Sequence, residues 1–291
     1  PTLPKCTFQT EKESSILCVD SKKLIQDTAE AEMRERFHRA VEEAVKENLI
    51  EEAAAKFKFS HDRVQQAAYA LIPSGDNIYL LHRRIGKVLL EMSEESDEGE
   101  CMFFAGVDLL TKFASQVSDE GSQVELARLS LEAAKKAELK SAFIPATNYL
   151  LGGIQLLDPT NRWTEHYELC LELHIKAAEV GRTYGDFHET LVLVKEIMAH
   201  GRCLKDRLRA LLIKAYVLGG QHKLLEAIDT CMGALKQMGI RLPSNPKTFH
   251  VLFEYARTKR VLKGRKAHDL LSLPRTSDEM QTEAIRFLNA A

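Results

Sequence analysis

His61 and Asp62 stand side by side directly after Ser60, and an adjoining imidazole and carboxylate can ligate a metal ion or steady the first turn of a helix. As the metal pair of a phosphohydrolase they would need further His and Asp ligands at matching spacing on neighbouring helices, and none is evident. As a helix start, Ser60 is expected to be the N-cap, its hydroxyl accepting from a first-turn amide, with Asp62 placed where a carboxylate favours the helix dipole. Gly86-Lys87 ends like a phosphate-binding loop, but Leu81 occupies the position of the required glycine and Val88 that of the Ser or Thr. Gly152-Gly153 and Gly219-Gly220 have no strand before them and read as helix packing points or stops. The ten histidines form no His-x-x-x-His or His-Glu-x-x-His pair, and no Ser, Cys or Thr sits in a nucleophile-elbow context. The expectation is a chain that is not itself an enzyme.

Two further groups carry polar or aromatic chemistry. Trp163 and Tyr167 stand four apart on what reads as one helix, a spacing that means core packing or, alternatively, a partner-binding groove. Arg257, Lys259, Arg260, Lys263, Arg265 and Lys266 place six cations in ten residues. Nucleic-acid binding would want such charge on one face with interleaved aromatics, and only Phe253 and Tyr255 are near. The plainer reading is a solvated helix face.

The elements that position these residues follow from composition and period. The chain has 291 residues, room for about two domains, with 45% hydrophobic and 28% charged residues. Its 40 Lys+Arg and 42 Asp+Glu leave a formal charge of −2, which gives no global attraction to nucleic acid. Only 15 Gly and 8 Pro, set among abundant Ala, Leu, Glu and Lys, favour helix. No apolar run is long enough to span a bilayer, and residues 1–12 carry no secretory segment. The six cysteines lie far apart with no Cys-x-x-Cys pair, which fits a reducing, cytoplasmic setting better than a disulfide or zinc framework. The chain opens on Pro1 and ends at Phe287–Ala291 within a helical pattern, as a fragment of something longer would.

From Ala29 to Asn48, apolar residues recur at three and four, predicting a helix. Lys56-Phe57-Lys58-Phe59 alternates as a half-buried strand, so a small hairpin is expected near Leu49–Phe59, followed by a helix from His61 that stops at Pro73-Ser74-Gly75. Helix, helix, hairpin, helix is the order of a winged-helix module, assigned to residues 1–95 with 1–14 as linker; the acidic stretch Glu94–Glu100 is the expected boundary. Residues 96–291 read as helices with short breaks, and the spacing of small residues suggests degenerate tetratricopeptide-like repeats. Ala134, Ala146, Leu150 and Gly153 make one copy, Ala178, Thr190, Val194 and Ile197 a poorer one, and Ala215, Ala227, Cys231 and Ala234 a third. The fold class expected is mainly all-α: the winged-helix-like module, then an α-α solenoid.

The run Phe57-Lys58-Phe59-Ser60-His61-Asp62-Arg63-Val64-Gln65-Gln66-Ala67-Ala68-Tyr69, with Leu81-His82-x-x-Ile85-Gly86-x-x-Leu89-Leu90 after it, resembles the winged helix and following repeats of STAND-type AAA-like ATPases. These lie in multidomain serine/threonine kinase and hybrid histidine kinase signalling proteins. Weaker matches continue through Ala133–Ala137, Ala146-x-x-Tyr149-Leu150, Trp163-x-x-x-Tyr167 and Met238-Gly239-Ile240-x-Leu242-Pro243. The resemblance implies that His61, with Asp62, approaches the ADP phosphates of the resting state. It also implies that ATP, ADP and Mg belong to an ATPase core N-terminal to Pro1, since this chain has no phosphate-binding loop, metal-binding acidic strand or kinase signature. The expected function is therefore a non-catalytic regulatory and protein-interaction region that couples partner sensing to that core. The alternative is a free-standing tetratricopeptide-like scaffold that binds protein or peptide partners with no nucleotide link.

Overall fold

The computed structural model describes residues 31–53, 56–72, 76–94, 99–112, 116, 119–243, 246–264, 267–270 and 276–291. The chain divides into two compact units, Pro1–Ala133 and Ala134–Ala291. That division falls inside a helix, whereas the acidic stretch 94–100 separates two helices that pack on each other within the first unit.

In the first unit, α1 (Ala31–Lys46) turns Val41, Ala44 and Val45 partly inward and leaves Phe37 exposed. Asn48 takes a left-handed φ of 55°, and the Leu49 N–H donates to the Ala44 carbonyl at 2.9 Å, a stop that frees the chain to extend. β1 (Ile50–Ala53) then pairs antiparallel with β2 (Lys56–Phe59), Ile50 opposite Phe59 and Glu52 opposite Phe57. The alternation does what it implied: Phe57 and Phe59 are half-buried while Lys58 stays in solvent, 3.7 Å from Glu51. Two strands alone are marginal in water, and this hairpin is flanked by α1 and by α2 (Asp62–Ala70), both in contact with it. The extra helix expected before α1 and the stop at 73–75 lie outside the described residues.

α3 (Asp76–Ser93) and α4 (Gly99–Thr111) form the closest helix pair of this unit, with Val88, Leu89, Met92 and Met102 buried between them. Two glycines permit the approach. A Cβ on Gly106 would lie 2.9 Å from the Gly86 carbonyl oxygen, and one on Gly86 would lie 2.7 Å from Leu110 Cγ. Gly86, whose pairing with Lys87 hinted at a phosphate loop, is thus a contact point between helices.

α5 (Glu120–Leu139) leads into the second unit, which contains α6 (Phe143–Leu156), α7 (Tyr167–Tyr184), α8 (Phe187–His200), α9 (Leu204–Gly220) and α10 (Leu224–Gln237). α11 (Thr248–Val261), a single 3₁₀ turn (Ala267–Leu270) and α12 (Glu279–Ala290) follow. From α6 to α10, each helix packs on the next, the layering of a helical repeat. The small residues picked out by spacing are the ones at the contacts: Ala134, Ala146, Ala178, Thr190, Ala215, Ala227, Cys231 and Ala234 are all buried. Gly181 continues the pattern, since a Cβ there would meet Thr190 Oγ1 at 2.7 Å. Between α7 and α8 the chain reverses at Gly185, whose φ of 97° suits a residue without a side chain. α7 is buried on nearly every side, from Leu169 to Gly181. α12 covers α9 and α10, placing Phe287 and Ala284 against Leu208, Cys231 and Leu235. Among the described residues, no helix is long and apolar enough to cross a membrane.

Candidate functional site

The start of α2 differs from expectation by one residue, and the difference bears on its chemistry. The N-cap is His61, not Ser60: His61 has extended backbone (φ −152°, ψ 144°), and its Nδ1 accepts the Arg63 N–H at 3.1 Å. Ser60 instead ties the hairpin, its N–H and its Oγ each donating to the Leu49 carbonyl at 3.0 Å. With Nδ1 committed as an acceptor, a neutral His61 carries its proton on Nε2. His61 and Asp62 are both exposed. An imidazole donor at an exposed helix N-terminus is chemistry that suits an anion. Among the described residues, no group of three or more His, Cys, Asp or Glu placed to hold a metal ion includes either of them.

A contact that spacing did not reveal holds α2 to α3. Tyr69 Oη and His82 Nε2 share a hydrogen bond of 2.6 Å, and His82 is 3% exposed. Burial, with the Lys112 charge adding to it, lowers the His82 pKa, and Lys112 Nζ sits 5.5 Å from the centre of the Tyr69 ring. Tyr69 and His82 both belong to the stretch that carries the family resemblance, and here they bind each other. The available signal was a histidine on the apolar face of α3, since Tyr69 on α2 is itself 44% exposed.

Trp163 and Tyr167 are four apart but do not share a helix. Trp163 belongs to the turns that precede α7, and Tyr167 is the first residue of α7. Both are buried, as the core-packing reading of this pair requires, and little of either ring is left at the surface. The Trp163 ring stacks on His200 (4.9 Å between centres, 9° between planes) and lies 4.7 Å from His174. The Arg202 guanidinium rests 3.9 Å above the Tyr167 ring and donates to the carbonyls of Trp163 and Thr164 at 2.9 and 3.0 Å. Tyr167 Oη accepts the Arg202 N–H at 2.8 Å and donates to Asp206.

The electrostatics of this cluster are those of a sealed interior. Burial lowers the His174 pKa to about 4 and raises that of the Cys170 thiol to about 12, so both are neutral near pH 7. His174 Nδ1 donates to the Cys170 carbonyl at 2.7 Å. Burial raises the Tyr167 pKa. At Asp206 burial acts the other way from the bonds, and hydrogen bonds from Tyr167 and the Cys203 N–H outweigh it, holding the carboxyl below its usual range. A thiol this hard to ionise is no nucleophile, so the group works as a clamp between the 157–166 turns and the start of α9. Cys170, Cys203 and Cys231 are free thiols.

Of the basic cluster, Arg257, Lys259 and Arg260 lie on α11 and Lys263 just beyond it, all exposed. Arg265 and Lys266 lie outside the described residues. Arg257 pairs with Glu254 at 3.4 Å.

No family model matches this sequence, and no solved structure does. The chain is similar to the "Hybrid signal transduction histidine kinase G" of Dictyostelium discoideum, 23% identical over 235 residues that make up 72% of this chain. It spans 7% of that protein's length, so what the two share is one region of a much larger molecule.

Proposed function

We propose that this chain is a non-catalytic regulatory and protein-interaction region of a signalling protein. The observation that carries the reading is the likeness to a hybrid histidine kinase over most of this chain, and packed helices whose buried polar groups clamp turns support it. In the finer form of the proposal, the repeats sense a protein partner and α2 reports to the nucleotide of a STAND-type ATPase core. ATP or ADP and Mg are bound by that core and not by this chain, and the protein works in the cytoplasm. His61 supports this form because its cap bond leaves an Nε2–H donor for a phosphate oxygen.

The test uses the complete protein and compares His61→Asn with His61→Ala. Asparagine keeps a side-chain acceptor for the cap and removes the imidazole, while alanine removes both. If His61 holds ADP, both variants release it faster by about five- to a hundredfold, the loss of one hydrogen bond to a charged group. Release at the unaltered rate in both would leave His61 as a cap alone.

A further inference from the structure

A groove opens between α3, the end of α4 and the first half of α5, all within the first unit. It holds about 530 Å³, counting the solvent at its open side. Leu110 and Leu126 line it as buried residues, and Leu90 and Leu129 are half-buried beside them. On the α3 wall, Arg83 and Lys87 stand one turn apart on the same stripe as Leu90, and both are exposed. On the α5 wall, Ser122, Glu125, Leu126 and Leu129 form the facing stripe. Among the described residues, no carboxylate forms an ion pair with Arg83 or Lys87. Asp119 feels the Arg83 charge, but it is already held as the cap of α5, its Oδ2 accepting the Ser122 N–H at 2.8 Å.

The arrangement of charge selects the occupant. A nucleic-acid strand or another polyanion would meet Arg83 and Lys87 on one wall and be repelled by Glu125 on the other. A small-molecule site encloses most of its ligand, whereas this groove stays open along one side. What fits is a peptide that lays one bulky apolar side chain on the leucines, holds a carboxylate towards α3 and keeps the rest of its length outside. We infer that the groove docks a short acidic segment of a partner protein. One leucine or aromatic side chain of that segment rests against Leu90, Leu126 and Leu129, and a neighbouring aspartate or glutamate is met by Arg83 and Lys87. The inference rests on the protein-interaction reading proposed above and adds to it the surface used and the chemistry of the partner.

The experiment selects peptides from a displayed random library on the whole chain at low salt and measures the enriched ones by fluorescence anisotropy. The expected winners carry aspartate or glutamate within a few residues of leucine, phenylalanine or tryptophan, and bind more weakly as salt rises. Arg83→Ala with Lys87→Ala should weaken them about two- to thirtyfold, the range for two exposed ion pairs. Leu129→Ser should weaken them about tenfold through lost apolar contact. Arg83→Glu with Lys87→Glu should enrich lysine- and arginine-bearing peptides in place of acidic ones. Arg83 and Lys87 are exposed, and an unchanged helical circular dichroism spectrum and melting temperature verify that the charge variants fold, so the test stands even if Leu129→Ser does not. Three outcomes overturn the inference: no enriched peptide, winners without acidic residues, or acidic winners that both charge variants hold as tightly as the wild-type chain. The last would move binding to another surface and leave the protein-interaction reading standing, whereas unaltered ADP release in the His61 variants would reject the nucleotide link and leave the groove as it is.

Discussion

Acidification should destabilise the second unit through His174, and the size of the effect follows from its burial. The ring is 1% exposed, lies between Trp163 and the Cys170 carbonyl, and has its pKa lowered from 6.5 to about 4. The unfolded chain therefore binds a proton near pH 6.5 that the folded chain refuses until about pH 4. Stability tied to this group is complete above pH 6.5 and is lost as the pH falls towards 4, at about 1.4 kcal/mol per unit and about 3 kcal/mol in all. Other groups titrate over the same range, so the quantity to measure is a difference. His174→Asn places an amide nitrogen where Nδ1 was, keeping a donor for Cys170, but it does not titrate and leaves a small cavity. Urea unfolding at pH 7 should put the variant about 2 kcal/mol below the wild-type chain. At pH 4.5 that gap should close or reverse, because only the wild-type chain carries the proton penalty. A gap of equal size at both pH values would refute the claim that His174 is buried neutral.

Gly106→Ala should lower the melting temperature by several degrees, about 1 to 3 kcal/mol, because the new methyl meets the Gly86 carbonyl and forces α3 and α4 apart; an unchanged melt would mean that the helices have room to spare. Tyr69→Phe should cost about 1 to 3 kcal/mol in urea unfolding by removing the hydroxyl that His82 engages at a buried position. His61→Ala should cost about 1 kcal/mol through the lost cap and His61→Asn a few tenths at most, so equal losses in thermal denaturation would place the cap elsewhere.

The parts of the fold set by local chemistry are legible in the sequence. The small-residue spacing locates the helix contacts because close packing admits few residue types, and Ala146, Ala178, Thr190 and Ala227 are buried where the pattern requires. Strand alternation likewise finds the hairpin. What local pattern misreads depends on partners distant in sequence. Ser60 looks the better cap on propensity, but Leu49, eleven residues earlier, takes its hydroxyl, and the role passes to His61. Trp163 and Tyr167 have helical spacing, yet the turns after Asp158 reset the period before α7 begins. His174 escapes notice because one histidine on the apolar face of a long helix has no spacing partner; it meets a carbonyl one turn back and the ring of Trp163, itself stacked on His200. In the same way, the contact of Gly86 with Gly106 exists only once α3 and α4 meet.

The burial of α7 on nearly all sides also orders the sequence in which the second unit comes apart. Amide protons exchange with solvent by the least costly opening that frees them. At α11, with no packed face, that opening is local fraying. α12 can lift from α9 and α10 by surrendering little besides Ala284 and Phe287. Leu169 to Gly181 offer no such detour, since freeing them means parting α7 from α6, α8 and α9 together. The amides of α7 should therefore be the last of the second unit to take up deuterium, at a rate that reports the collapse of the whole stack.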